Sequence, residues 1–536
     1  MKKLGLYLVL CLSLSSLTGL HAQVFPWAHH FAADDYVSIT KMVVDSEGHL
    51  IVAGTHRDTM YVAGTSIPFT DYEDFFIAKF YPAGGLAWII PFTGEEYDIV
   101  QDLKVDADDN IYLSGSFIAD LNFKGQTLNA VGQADPLLMK LSPDGDVLWI
   151  TTFGSKLNDI SFGIDVDSEE MLAVGHFRDT MVVAGTTLIP NGIQDMWLAS
   201  LDPATGGVNW IKSWGGAGYD RFNQVVKTST GEIYACGHFS ETLSTNVGNL
   251  FSDGGFDVII AKLSGTGEFI WMVAGQSPGD YDAAYDLIVD ENDNAYFTGS
   301  FEEQISFNNQ TYTGQDDRDI FIISFDPNKN IRWAYNTATY GPCRSGQFTI
   351  TEDDQTLYCS GSAGSIFEIG DSIYTNLDER AMFIGAFELD GTVKDVTIFD
   401  GPGADAGFAL TDDGSDLFIS GIFNESIQIS PDYEWTTMGQ WDAFIARWDR
   451  DASGIVLSDH ATGFLTPGSA YYNPSREFLH LKGENISLWD TQGRLHYQQK
   501  PATEEGIPTT TLPNGIYHLR YQHAGEWYGQ SVAIIR

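Results

Sequence analysis

The chain has 536 residues, of which 43% are hydrophobic and 13% aromatic, enough to build a large core. Its formal net charge of −45 excludes electrostatic binding to the backbone of a nucleic acid or to an anionic membrane surface. The same charge favours solubility, and it also suits divalent cations or cationic partners.

Residues 1–22 have the pattern of a secretory signal peptide. Two lysines precede a largely apolar run, and the small residue Ala22 stands before Gln23, where cleavage is expected. No other segment approaches about 18 uninterrupted apolar residues, so the mature chain is expected to be exported and to have no transmembrane segment. The remaining cysteines, Cys236, Cys343 and Cys359, are odd in number and form no close pair, so no disulfide framework is expected.

From about residue 34 to residue 449, the sequence repeats with a period of about 61 residues. Each unit contains a glycine that ends one apolar segment and, in most units, an aspartate that opens the next. Four segments rich in apolar and β-branched residues alternate with Asp, Asn and Gly turns, and a short hairpin-like insert lies between them. Seven such units predict an all-β fold, a seven-bladed β-propeller over residues 23–455.

A tryptophan keeps the same period and predicts how the ring closes. The series is Trp27, Trp88, Trp149, Trp210, Trp271 and Trp333. Trp27 precedes the first complete unit, whereas the seventh unit has no final strand of its own. We therefore expect the N-terminal strand to complete the last blade, which also removes an unpaired strand edge. The tryptophans are expected to be wedges between neighbouring blades, with stacking on a ligand as the alternative.

The sequence patterns of the units resemble those of a known repeat family. The recurring patterns are "VDxxxxxYxxG", "DxxIAKx" and the final tryptophan. They resemble the bacterial β-propeller repeat called SBBP, over most of residues 34–449. The resemblance implies a propeller in an extracellular or envelope protein, and it implies no single activity.

After a linker at residues 456–467, residues 468–536 form a second predicted domain. Residues 466–536 hold six basic and six acidic residues, so the acidic excess lies in the propeller and linker. Their segments alternate apolar and polar residues, which predicts a small Ig-like β-sandwich.

This tail resembles the C-terminal sorting domain of type IX secretion cargo. The matching residues are Asn473, Pro474, Gly493, Arg494, Leu512, Pro513, Gly515 and Tyr517. Tyr472 departs from the family, which usually has proline there. The resemblance implies recognition by the type IX secretion machinery, export across the outer membrane and, usually, removal of the domain. The mature protein would then be released or attached to surface lipopolysaccharide.

Recurring acids near the start of each unit are the candidate metal ligands: Asp98, Asp159, Asp220, Asp282 and Asp405. They could form a ring that holds a cation such as calcium, or each could cap backbone N–H groups in its own turn. The turns "DADDN" (106–110) and "DENDN" (290–294) lack the glycine and distal glutamate of an EF-hand loop, so we interpret them as hairpin turns. His176 and His238 occupy equivalent positions, expected to be too far apart to share one zinc ion.

The sixth unit departs most from the repeat. It lacks the tryptophan and the marker aspartates. By spacing, Arg344 takes the place of the recurring acids near the start of the unit, and Arg380 takes the place of the aspartate that opens the third segment. These two arginines, in an otherwise acidic ring, are the candidate site for an anionic ligand. The alternative is that the sequence of this unit has diverged from the repeat without acquiring a function.

No hydrolase, metalloprotease or nucleotide-binding motif stands in a suitable context. The sequence predicts a secreted or cell-surface binding or scaffold module, with extracellular polysaccharide or protein as partner. The alternatives are a polysaccharide-active enzyme, a hydrolase or lyase with carboxylates at the channel mouth, and a structural adhesion component. No cofactor is predicted beyond calcium.

Overall fold

The protein is described by a computed structural model. It covers residues 24–450, apart from 71, 95, 125, 315–317, 341–343, 352–354, 365, 371 and 376–379, together with short strands between residues 471 and 534. The signal peptide, the linker, Cys343, Pro474, Gly493, Arg494, Leu512 and Pro513 lie outside the described residues. The propeller, Phe25–Arg450, is one compact unit, and the C-terminal segment belongs to another. Among the described residues there is no helix that could cross a membrane.

The propeller consists of seven antiparallel sheets, as the repeat predicts. Blade 1 contains Val37–Val44, Leu50–His56, Asp74–Phe80 and Leu86–Phe92, and blade 2 contains Ile99–Val105, Ile111–Phe117, Asp135–Leu141 and Val147–Thr152. Blade 3 contains Ile160–Val166, Met171–Phe177, Asp195–Leu201 and Val208–Trp214, and blade 4 contains Arg221–Lys227, Ile233–Thr245, Gly248–Leu263 and Phe269–Gly275. Blade 5 contains Ala283–Val289, Ala295–Phe301, Asp319–Phe325 and Ile331–Asn336, and blade 6 contains Arg344–Ile350, Thr356–Ala363, Ala381–Glu388 and Val393–Phe399.

Blade 7 is completed by the N-terminal strand, which confirms the predicted closure. Its sheet runs from Asp405–Asp412 through Leu417–Phe423 and Asp442–Asp449 to Val24–Ala33. The first strand of each blade contacts the first strands of both neighbouring blades, all the way round the ring. These seven inner strands therefore surround the central channel, and each contains a register shift.

Hairpins inserted between the second and third strands connect the blades at their periphery. They are Met60–Val62 with Thr65–Ile67, Leu121–Phe123 with Gln126–Leu128, Met181–Val183 with Thr186–Leu188, Gln304–Phe307 with Gln310–Thr313, Ile366–Ile369 with Ser372–Thr375, and Ser426–Ser430 with Tyr433–Thr436. The hairpin of blade 1 pairs with the closing strand of blade 7, with Tyr61 opposite Ala32. The hairpin of blade 6 pairs with Ala338–Tyr340, which follows the outer strand of blade 5.

The second and third strands of the blades are the core of the propeller. In blade 1, every residue of Leu50–His56 and Asp74–Phe80 is buried, because each sheet packs between two others. The marker glycines belong to these second strands. A Cβ atom at Gly54 would stand 2.2 Å from the carbonyl oxygen of Ser38 on the inner strand, so a side chain would not fit there.

The recurring tryptophans lie between blades. Four of the indole N–H groups donate to a carbonyl oxygen in a turn of the next blade: Trp27 to Pro82 at 3.0 Å, Trp149 to Pro203 at 3.0 Å, Trp271 to Pro327 at 3.2 Å and Trp333 to Leu389 at 3.0 Å. Each of these four tryptophans thus combines buried apolar surface with a directed hydrogen bond across the blade interface.

The C-terminal segment contains seven described strands in two antiparallel sheets. One sheet joins Tyr471–Asn473, Phe478–His480 and Ile507–Pro508, and the other joins Leu495–Gln499, Glu484–Asp490, Gly515–His523 and Glu526–Ile534. Asn473, Gly515 and Tyr517 lie on these strands. The β-sandwich expected for this segment stays a prediction.

Candidate functional site

One mouth of the channel is built by residues that stand just before the inner and third strands. Residues before the third strand of a blade form parallel bridges with residues before the next inner strand, such as Gln194 with Tyr219 and Phe256 with Tyr281. The same arrangement recurs between other blades, as in the bridge of Glu73 with Tyr97. The repeat therefore places equivalent side chains around this mouth, and differences between blades can be compared position by position.

A cavity of about 390 Å³ opens at this mouth among blades 3, 4 and 5, and we call it the blade 3–5 cavity. Its polar lining includes Asn158, His176, Arg178, Gln194, Arg221 and His238. Its aromatic lining includes Tyr219, Phe256, Tyr281 and Tyr285, and Asp282 is also among the lining residues. The volume lies in the range typical of small-molecule sites.

Two arginines give the cavity positive charge. The Nε and Nη2 groups of Arg178 donate to Oε1 of Gln194, at 3.0 and 2.9 Å. The guanidinium of Arg221 lies 4.5 Å from the centre of the Phe162 ring, and its buried Nε has no hydrogen-bond partner among the described residues. Burial, and then the charge of Arg178, lowers the pKa of Arg221 to about 10, so Arg221 is a cation at neutral pH.

Two histidines face the same cavity as neutral groups. His176 and His238 are 3% and 6% exposed, and burial lowers the pKa of each, with the charge of Arg221 acting in the same direction. Neither ring nitrogen of His176 has a hydrogen-bond partner among the described residues. The His238 ring stacks on Phe256, with ring centres 4.7 Å apart. The imidazoles can therefore donate or accept hydrogen bonds without adding charge.

Aromatic rings form the rim of the cavity. Phe256 lies between two tyrosines, with ring centres 5.8 Å from Tyr219 and 5.6 Å from Tyr281. Tyr281 is 57% exposed, so one ring of this row faces solvent. The rim therefore offers flat apolar surface beside a polar interior, a combination common in ligand sites.

Blade 1 carries the same arrangement with one decisive difference. Arg57 stands at the position of Arg178 and pairs with Glu73, its Nε and Nη2 atoms 2.9 and 2.8 Å from Oε2. In blade 3 the position of Glu73 is occupied by Gln194, which accepts the same hydrogen bonds but carries no charge. The charge of Arg178 is thus hydrogen-bonded without being neutralised.

Arg221 is a second exception to the repeat. It stands opposite His238 in the sheet. The inner strands of five other blades have uncharged residues at the equivalent position, and that of blade 6 has Arg344: Ser38, Ile99, Ile160, Ala283, Arg344 and Ala406. A cation at this position is therefore not required for building a blade. Together with Gln194, it makes the blade 3–5 cavity different from the equivalent region of blade 1.

The aspartates predicted as metal ligands are spread around the ring, one at each of five interfaces between blades. Each accepts backbone N–H groups: Asp98 from Ile118, Asp159 from Ser155 and Arg178, Asp220 from Gly216, Asp282 from Glu302, and Asp405 from Gly401. Burial raises the pKa of Asp98, Asp220 and Asp282 to about 7. Within the part of the chain that the structure describes, no three acidic, His or Cys side chains are grouped to hold a metal ion.

The two calcium-like segments are turns between strands. Asp106 accepts hydrogen bonds from the backbone N–H groups of Asp108 and Asn110, at 3.0 and 2.9 Å. Asp290 accepts the equivalent bonds from Asn292 and Asn294, both at 2.9 Å. In each segment a single carboxylate organises its own turn.

The arginines of the sixth unit lie elsewhere on the ring. The backbone of Arg344 pairs with Ser362, so Arg344 occupies in blade 6 the position that Arg221 occupies in blade 4. This position is one residue after that of the recurring aspartates. The spacing of the sequence had aligned it with the aspartates. The Arg380 guanidinium lies 5.5 Å from the Trp441 ring, and Arg380 bridges to Ala404 at the border of blades 6 and 7. Arg380 is not among the described residues that line the blade 3–5 cavity.

Sequence reasoning missed the arginines that do line this cavity, Arg178 and Arg221. It did find His176 and His238 equivalent, but it considered them only as zinc ligands and expected them to be too far apart for that role. One signal in the sequence could have indicated the cavity: Gln194 of the third unit replaces Glu73 of the first. Recognising this replacement requires the units to be aligned by strand register.

A second polar cluster lies in the channel. Lys41, Asp102, Gln224 and Asp286 each follow the register shift of an inner strand. Lys41 Nζ lies 3.5 Å from Asp102 Oδ1, and Gln224 Nε2 donates to Asp102 Oδ2 at 3.1 Å. Because the charges and hydrogen-bonding groups of this cluster pair with one another, the cluster is a structural contact that links the inner strands of different blades, and we call it the tie between blades.

No family model matches the chain, and no curated protein matches it. The solved structures that are similar include BamB from Moraxella catarrhalis, with 11% identity and a TM-score of 0.33 over 83% of this chain and 100% of that one. A DUF4221 family member from Bacteroides vulgatus has 10% identity and a TM-score of 0.36, over 80% of this chain and 97% of that one. Quinohemoprotein alcohol dehydrogenase from Comamonas testosteroni has 9% identity and a TM-score of 0.35, over 82% and 80%.

Proposed function

We propose that the chain is a secreted or cell-surface binding module and that the blade 3–5 cavity is its ligand site. The observation that supports the proposal is the local loss of repeat symmetry. Arg178 faces the neutral Gln194, whereas the related arginines of blades 1 and 5 face an acid. Arg221 stands where the inner strands of the other blades, except blade 6 with Arg344, have no cation, and it lines the same cavity. Features that a repeat fold does not need for its own assembly are where function is expected.

A polysaccharide-active hydrolase or lyase is the second candidate, and Asp282 is the observation that favours it. Burial raises the pKa of Asp282 to about 7, which suits a general acid. Glycoside hydrolysis, however, uses a pair of carboxyl groups on either side of the bond. Asp282 is the single carboxyl among the described residues that line the cavity, so binding without turnover is the better supported function.

The test uses the full chain on an array of extracellular polysaccharides and proteins, with calcium or with a chelator. Retention and release of reducing ends are read in the same wells. Retention without product supports a binding module, and dependence on calcium would assign a role to a cation. Release of reducing ends overturns the proposal in favour of the enzyme. Silence in both readouts overturns it in favour of a structural adhesion component.

A pair of matched variants tests the location of the site. Tyr281→Ala removes an exposed ring from the rim of the cavity, whereas Tyr97→Ala removes an exposed ring from the same bridge position between blades 1 and 2. We expect the Tyr281 variant to weaken retention and the Tyr97 variant to leave it unchanged. Equal retention by both variants would move the site away from this cavity.

We also propose that the chain is an SBBP-type repeat protein exported through the type IX secretion system. Support comes from the pattern of residues 1–22 and from the resemblance of residues 468–536 to a sorting domain. Removal of residues 468–536 should leave the propeller inside the cell envelope, whereas the full chain should reach the surface or the medium. Unchanged export of the shortened chain would contradict this route.

A further inference from the structure

We infer that the blade 3–5 cavity binds the carboxylate of an acidic sugar within an extracellular glycan. This inference rests on the proposed function and names the chemistry of its ligand. It is carried by two cationic side chains that the fold leaves without a neutralising acid, and by the aromatic rim that adjoins them.

The first step is the comparison of two equivalent arginines. Arg57 in blade 1 faces Glu73, and the ion pair neutralises it at 2.8 Å. Arg178 in blade 3 faces Gln194, whose Oε1 holds the guanidinium at 2.9 Å but leaves the charge in place. In blade 5 the arginine and the acid have exchanged positions, and Arg318 Nη2 lies 3.3 Å from Glu302 Oε1. Of the three arginines compared, Arg57 and Arg318 face an acid and Arg178 faces a neutral amide.

The second step is the state of Arg221. Its Nε is buried without a hydrogen-bond partner, and the guanidinium rests on the Phe162 ring at 4.5 Å. A buried donor without a partner destabilises the protein, and more so when it is charged. A carboxylate can accept two N–H groups of a guanidinium at once and also neutralises its charge, so an anionic ligand suits Arg221 better than a neutral one.

Asp282 lines the same cavity and has to be reconciled with an anionic ligand. Its Oδ1 accepts the N–H of Glu302, and its Oδ2 has no hydrogen-bond partner among the described residues. Burial, together with the charges of Asp257 and Glu302, raises the pKa of Asp282 to about 7. In its protonated form the carboxyl donates a hydrogen bond, so it can serve an anion rather than repel it.

The rim favours a sugar over the carboxyl terminus of a peptide. The row of Tyr219, Phe256 and Tyr281 offers ring faces on which the C–H face of a pyranose can lie. The side-chain amides of Asn158 and Gln194 also line the cavity, and amides can donate to and accept from the hydroxyl groups that decorate a sugar ring. An amphipathic rim beside cationic groups matches a ring that bears both hydroxyls and a carboxylate.

The probe is an oligomer of galacturonic acid, compared with its methyl ester, which has the same ring and linkages without the charge. Binding to the full chain is measured by titration calorimetry at low and high salt. Loss of a charged hydrogen bond costs about 1.5–3 kcal/mol, so the acid should bind on the order of tenfold to a hundredfold more tightly than the ester. The preference should shrink as salt rises.

The decisive variant is Gln194→Glu, which gives Arg178 the neutralising partner that Arg57 already has. It should weaken binding of the acid by at least about tenfold more than it weakens binding of the ester, because only the acid loses a charged partner. The matched control is Glu73→Gln, which makes the reverse change in blade 1 and should alter neither affinity. Arg221→Met removes the second charge independently, and thermal unfolding verifies that each variant is folded.

The outcomes separate the inference from the proposed function. Equal affinity for acid and ester, unchanged by Gln194→Glu, would overturn the inference and leave a binding module for neutral glycans. Binding that is restricted to peptides with a free carboxyl terminus would also overturn it. No retention of any polysaccharide or protein on the array would overturn the proposed function itself.

Discussion

Lys41 and Asp286 belong to the first and fifth blades, and their charged atoms lie 3.6 Å apart across the channel. Lys41 also lies 3.5 Å from Asp102 of the second blade, so one ammonium group serves two buried carboxylates. Lys41→Met would remove the ammonium group that pairs with both carboxylates and leave Lys104 as the remaining cation of the cluster. We expect it to lower the free energy of unfolding by about 3 kcal/mol, measured by chemical denaturation.

The control for this prediction is Lys124→Met. Lys124 pairs with Asp146 at 2.9 Å, but their side chains are 35% and 78% exposed. An ion pair of this kind contributes less than about 1 kcal/mol. Equal destabilisation by the two substitutions would show that the channel cluster is not a tie between blades.

The tryptophan wedges predict a second stability effect. Trp271 is 9% exposed, and its indole donates to Pro327 O of the next blade at 3.2 Å. Trp271→Ala should destabilise the propeller by about 3–5 kcal/mol, because it opens a cavity at the interface of two blades. Trp271→Phe keeps part of the packing and loses the hydrogen bond, so it should cost less. Thermal unfolding of both variants checks the order, and a larger loss for phenylalanine would contradict it.

The buried aspartates predict an unusual dependence of stability on pH. Burial, together with the neighbouring charge of Asp74, raises the pKa of Asp98 from 3.8 to about 7 in the folded protein. The folded state therefore binds more protons than the unfolded state between these values, and the contribution of Asp98 to stability falls as pH rises from 4 to 7. Asp98→Asn removes this titration, so stability between pH 5 and 8 should depend less on pH in the variant. Parallel curves from chemical denaturation would contradict the prediction.

The thiols predict a chemical outcome. Cys236 and Cys359 are fully buried and unpaired, and burial raises the pKa of both thiols above the ordinary value. Because the thiolate is the reactive form, neither should react with iodoacetamide in the native protein at pH 8, and both should react after denaturation. Peptide mass spectrometry assigns the labelled residues. Native labelling of either would mean that its blade opens on the timescale of the experiment.

The propeller could be predicted because its cues repeat. One tryptophan or one glycine says little, but Trp27 standing outside any complete unit predicted the closure of the ring. The glycines recur because a Cβ would collide with the inner strand, as at Gly54 and Ser38. Each of these residues is required by contacts within one unit or between neighbouring units. Because every unit has the same contacts, the same residues recur at a fixed spacing in the sequence.

The cavity could not be predicted in the same way. Arg178 and Gln194 are 16 residues apart, and Arg221 comes from another blade. Their meaning depends on knowing that Gln194 occupies the position of Glu73, which only strand register establishes. Arg344 illustrates the difficulty, because spacing alone misplaced it by one residue relative to Arg221. Sites that arise from exceptions to a repeat are hidden by the same regularity that makes the fold predictable.

The closing strand has a consequence for the order in which the molecule can assemble. His30 of that strand contacts Asp442 of its neighbour at 2.8 Å, and the two residues are 412 positions apart in the chain. This strand is synthesised before any blade, but the strand with which it pairs is synthesised only after the first six blades. Blades 1 to 6 can form from local pairings, whereas the seventh must join the two ends of the propeller, a slow step for contacts so distant in sequence. Until that step, the protein carries an exposed strand edge, and whatever keeps the chain from aggregating has to act over the whole time of its synthesis.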